Sequence, residues 1–76
     1  VNKNKAKIIE ILKSINKSIS IHDFRMIFEK TYVRVFFDVV IPFGKDIKLE
    51  DIKQTINDKY KNEKIKYFFT INLDRA

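Results

Sequence analysis

The chain has 76 residues, 45% of them hydrophobic, and sets 16 Lys+Arg against 10 Asp+Glu for a formal charge of +6. That length bounds it to one small domain, which buries only about 60% of the surface its unfolded chain exposes and gains from a partner chain or a metal. A sequence without cysteine excludes disulfides, thiolate zinc sites and cysteine nucleophiles, and its single glycine excludes a Gly-rich phosphate loop.

From Asn4 to Lys17 the apolar residues Ile8, Ile11, Leu12 and Ile15 recur at helical spacing and predict an amphipathic first helix. Its opening turn carries Lys3, Lys5 and Lys7, the unfavoured charge for a helix N-terminus. Ile19 to Phe28, rich in β-branched and aromatic residues, predicts a first strand, and Tyr32 to Ile41 alternates strictly enough to predict a second. The short Glu29-Lys30-Thr31 connection makes the two an antiparallel hairpin. Pro42, Gly44 and Asp46 then punctuate the chain, with Asp46 offered as the N-cap of a second helix. Leu49, Ile52, Ile56 and Tyr60 form the buried stripe of that helix, with Glu50 and Asp51 in its first turn. Lys64 to Asp74 alternates again as a third strand. No apolar stretch approaches the roughly 20 residues of a membrane helix.

The order α-β-β-α-β predicts an α+β, ferredoxin-like or metallochaperone-like fold. A right-handed crossover sets the third strand parallel to the second, and both helices fall on one face of a three-stranded mixed sheet. The other face is then bare and presents Phe36, Val40 and Phe68 among polar residues, which predicts an association surface. A register displaced by one residue would instead put these three in the core.

Thirteen of the 16 cations are Lys, and only Arg25, Arg34 and Arg75 offer the planar fork that phosphate and base recognition favour. Between residues 45 and 66 the Lys are interleaved with acids, the pattern of a solvated face. Ser14, Ser18 and Ser20 have no glycine elbow beside them and His22 is the sole imidazole, so a nucleophilic enzyme is not expected. Sparse hard and borderline ligands remain. A hairpin turning near Lys30 sets His22 across from Asp38, and alternation puts Asn72 and Asp74 on the face of Asp38. His22, Asp38 and Asp74 are an acceptable divalent-metal set, for zinc or manganese. A hydrogen-bonded structural pair of His22 and Asp38 is the simpler reading of the same spacing.

Ser20-Ile21-His22-Asp23-Phe24-Arg25 resembles the His-Asp-Leu-Arg signature that opens the first strand in the C-terminal cytosolic domain of cation diffusion facilitator transporters, and Ile71-Asn72-Leu73-Asp74 resembles that family's closing Ile-His-x-Asp. With the first helix, the hydrophobic second strand and the Leu49-Glu50-Asp51 helix entry at matching places, the resemblance runs from about Lys7 to Asp74. It implies a single domain, residues 1–76, excised from a longer membrane transporter, an expectation that the Val1 start shares. It also implies a location on the cytoplasmic side of the cell membrane, a homodimer, contact with the transporter's own transmembrane domain, and a divalent ion near the dimer contact whose binding favours export in exchange for protons. The metal ligands implied are His22, Asp38, Asp74 and Asn72, and Lys3, Lys5 and Lys7 fall beside the membrane. Asn72 and Asp38 stand where the family has histidines, so the ion expected is Zn2+ held weakly, a harder ion such as Mn2+ or Fe2+, or none.

The expected function is therefore a regulatory, dimerising domain of a divalent-cation efflux transporter. The alternatives are a basic sheet platform stacking nucleic-acid bases on Phe36 and Phe68, or a stand-alone ferredoxin-like interaction domain. The platform lacks the arginine cluster and aromatic motif of such binders, so nucleic acid is not the expected partner.

Overall fold

The computed structural model describes residues 2–75. Five elements follow in the order expected: α1 (Asn2–Ile15), β1 (Ser20–Phe28), β2 (Tyr32–Ile41), α2 (Leu49–Tyr60) and β3 (Lys66–Arg75). The strands form one sheet in the order β1-β2-β3, antiparallel between β1 and β2 and parallel between β2 and β3. Both helices pack on one face, which makes the fold the α+β arrangement that the periodicity predicts.

β2 is the central strand, and its alternation decides which face is which. Val33, Val35, Phe37, Val39 and Ile41 are all buried under the helices, while the residues between them are half-buried or exposed. Ile8, Ile11 and Leu12 from α1 and Ile52, Ile56 and Tyr60 from α2 close the core from above, with Ile19 and Ile71 filling its sides. Among the described residues the only polar side-chain group in the core is the Tyr60 hydroxyl, which donates to Asn4 Oδ1 at 3.0 Å. Tyr60 also meets Tyr67 and Phe69 edge-on at 4.8 and 5.0 Å, so an aromatic cluster fixes the end of α2 on β3.

The helix boundaries differ from those read in the sequence. α1 stops at Ile15, two residues early, because the Asn16 side chain accepts the Ser18 amide at 2.8 Å and turns the chain toward β1. Asp46 does not cap α2. Lys48 is the cap residue, extended and without a side-chain hydrogen bond, and its carbonyl accepts the Asp51 and Ile52 amides at 3.1 and 3.3 Å. Ile47 packs on the core as part of an extended segment, which carries the chain past Asp46 before the first helical turn. Gly44 serves the preceding turn, where its φ of +83° suits the residue between Phe43 and a Lys45 amide that reaches back to the Pro42 carbonyl.

Asp23 also lies in the left-handed region, at φ +57°. It marks a β-bulge: Phe28 pairs with Val33 and Arg25 with Phe36, but beyond the bulge His22 pairs with Asp38 and Ile21 with Val39. The extra residue keeps Ile19 and Ile21 facing the core on one side of the bulge and Phe24 and Met26 facing it on the other.

Candidate functional site

The sheet face opposite the helices carries the residues singled out by the sequence. The hairpin places His22 beside Asp38, and the parallel register of β3 places Asn72 on the other side of Asp38. His22, Asp38 and Asn72 thus form one row across all three strands. The Asn72 Nδ2 donates to Asp38 Oδ1 at 3.2 Å, so the amide holds the carboxylate in place and takes up part of its accepting capacity. Asp74 falls in the next row, beside Val40, with Ser20 at the far edge.

The bulge shapes the ground beside this row. With Asp23 turned, a shallow open depression forms on the sheet, lined by Asp23, Arg25, Phe36, Asp38 and Asn72 and by Phe24 and Phe37, whose rings pack on the core side and stack at 6.0 Å. Asp23 is the residue of this site that spacing alone undervalued. The tolerance of aspartate for the left-handed region is the only signal it gives.

Aromatic residues of the bare face are clothed by cations. Arg25 and Arg34 each lie over the Phe36 ring, at 5.2 and 5.1 Å, so Phe36 is half-buried rather than exposed. Val40 is half-buried as well, while Phe68 remains 48% exposed between Lys66, at 5.5 Å from its ring, and Tyr32, at 5.3 Å. The guanidiniums occupy the ring face that a stacking base would need.

Among the described residues no three His, Cys, Asp or Glu side chains converge on one point. One copy therefore offers His22 and Asp38 as adjacent donors, with Asp74 a row away and Asn72 committed to Asp38. That is short of the four donors that a closed zinc site uses, so the residues of one copy do not by themselves fit a resident metal.

Lys3 and Lys5 are exposed on α1. Lys7 is engaged: its Nζ lies 3.1 Å from Glu63 and 4.2 Å above the Tyr60 ring, which ties the start of α1 to the end of α2. Among the described residues Tyr60 is the one strongly perturbed acid. Burial pushes its hydroxyl up from 10.0 to about 12, with neighbouring Tyr67 and Glu63 adding to the shift.

No family model matches the chain, and neither a curated protein nor a solved structure matches it.

Proposed function

We propose that this chain is a regulatory, dimerising domain on the cytosolic side of a divalent-cation efflux transporter, working by association rather than by turnover. The observation that carries the reading is the His22–Asp38–Asn72 row, in which the two motifs that resemble the cation diffusion facilitator family lie on either side of the central strand, on a face that no helix covers. The charge along that face also supports pairing of two copies. Arg34 and Lys66 lie toward one end of the strands, and Asp38 and Asp74 toward the other. A two-fold axis across the strands sets the basic end of one copy over the acidic end of the next.

The available area sets the strength. Three strands at about 4.8 Å spacing and about 30 Å of length present roughly 430 Å2 per copy, below the roughly 800 Å2 of a stable interface. Such a pair is weak and responds to modest added free energy, as a regulatory contact must. Metal enters as a ligand of the paired state, with His22 and Asp38 from one copy and the remaining donors from outside it.

Calorimetric titration with Zn2+ and with Mn2+ tests this reading. Binding that His22→Ala abolishes is the expected result. Silence with both ions, or equal heats from His22→Ala, removes metal from the reading.

A further inference from the structure

The +6 charge is not spread over the molecule. Divided across the middle of the strands and helices, the half made of residues 2–8, 26–35 and 55–69 holds nine of the 16 cations and three of the 10 acids. The other half holds seven of each and is neutral. The strands run along a body whose long dimension is 41 Å, so the whole surplus gathers at one end of it. A Debye length of about 8 Å screens the far half from anything touching this end.

Three features of this end define its partner. Among the described residues the only ion pair is Lys7–Glu63, so Lys59, Lys61, Lys64 and Lys66 have no carboxylate within pairing distance and stand exposed. Two large apolar side chains project among them past the helices: Phe28, 63% exposed at the hairpin, and Ile65, 51% exposed at the start of β3. They lie about two strand spacings apart, roughly 10 Å, and Ile65 edges an open depression that Lys61, Lys64 and Lys66 also line. Ile27 and Phe68, also exposed in this half, belong to the bare sheet face, and Phe43 and Leu73 are exposed at the neutral end.

We propose that this cationic end docks on an anionic lipid surface, its lysines over the headgroups and Phe28 and Ile65 entering the interface. Lysine-dominated charge around protruding aliphatic and aromatic side chains suits a headgroup layer, where each needs depth and charge but no defined geometry. Ile65 has no ring to stack on a base, and of the nine cations only Arg34 offers a fork, already laid on Phe36. The docking rests on charge and exposure alone and stands whether or not the chain belongs to a transporter.

Co-sedimentation of the 76-residue chain with phosphatidylcholine vesicles, with and without about one-third phosphatidylglycerol, tests it. Binding to the anionic vesicles alone, reduced by salt, is expected. A lysine beside such a surface is worth about fivefold in partitioning, so Lys59→Gln/Lys61→Gln/Lys64→Gln should weaken binding about a hundredfold. Lys17→Gln/Lys45→Gln/Lys53→Gln makes the same change in net charge at the neutral end and should weaken it less than about threefold. Phe28→Ser/Ile65→Ser, which leaves every charge in place, should cost about tenfold. Circular dichroism establishes that each variant is folded. No binding to anionic vesicles, or equal losses from the two lysine triples, overturns the proposal. So does tighter binding of an unstructured single-stranded RNA, weakened by the same variants, which assigns the end to nucleic acid instead.

Discussion

Valine at position 23 opposes the left-handed backbone of the bulge, the device that reconciles the two ends of β1. The turn centred between Lys30 and Thr31, carried on without interruption, would set His22 against Val39 rather than Asp38. Every residue before position 23 would then change faces. Ile19, 1% exposed in the native fold, and the half-buried Ile21 would turn outward, while Ser20 and His22 would turn into the core. Losing Ile19 costs about 2–3 kcal/mol and Ile21 about 1 kcal/mol. An imidazole buried without a partner adds about 1–3 kcal/mol. The sum, about 5 kcal/mol, equals much or all of the stability expected of a domain this small, roughly 4–11 kcal/mol. Straining the bulge in the full chain is therefore cheaper than losing it, whereas deleting Asp23 removes the bulge and keeps every face, because the ladder then runs from Arg25 opposite Phe36 through Phe24 to His22 opposite Asp38. Glycine fits the left-handed backbone and should leave stability within about 0.5 kcal/mol, whereas Asp23→Val, β-branched at a positive φ, should lose about 1–2 kcal/mol. Urea unfolding followed by circular dichroism, with a slope near 1 kcal/mol per molar, turns the valine loss into a midpoint shift of about 1–2 M and should leave the deletion protein within about 1 M of the parent. A deletion protein unfolded without urea, or equal midpoints for the glycine and valine variants, would refute the reasoning.

Phe37→Ala, at the centre of β2 and 1% exposed, should cost about 3–5 kcal/mol in the same unfolding assay; a cost under 1 kcal/mol would mean that the core collapses around the cavity. Tyr60 predicts an alkaline transition. Because its folded pKa, about 12, lies above the ordinary 10.0, its contribution is complete below pH 10 and is lost as pH rises toward 12, by about 2–3 kcal/mol. Tyr60→Phe should flatten that loss while costing about 1 kcal/mol at neutral pH through the missing bond to Asn4. Asn72→His exchanges the amide that holds Asp38 for an imidazole and should tighten Zn2+ binding at least tenfold by calorimetry; unchanged affinity would place the metal away from this row.

The sheet was legible wherever one face is buried. β2 carries an unbroken inside-outside alternation, and its bounds match those read from the sequence. The helix-covered face and the parallel pairing of β3 followed from crossover handedness. Helix starts were less legible, because Asp46 has the right chemistry for a cap while the burial of Ile47 decides where the chain can turn. The pairing of His22 with Asp38 was expected from a turn centred on Lys30. The turn is centred half a residue later, and the bulge at Asp23 restores the pair. Such a bulge depends on packing at both ends of a strand, which no local pattern records. The cover of Arg25 and Arg34 over Phe36 was hidden for a related reason: alternation says which face a residue takes, not how long neighbouring side chains fold back over it.

The central claim is that two copies associate through the sheet face opposite the helices. Sedimentation equilibrium up to high micromolar concentration, with and without Zn2+ or Mn2+, tests it most directly. The account predicts a reversible dimer with a Kd of about 100 micromolar, tightened by metal in the parent but not in His22→Ala, and abolished by Phe68→Glu. A strict monomer under all of these conditions, or a dimer indifferent to Phe68→Glu, would contradict it.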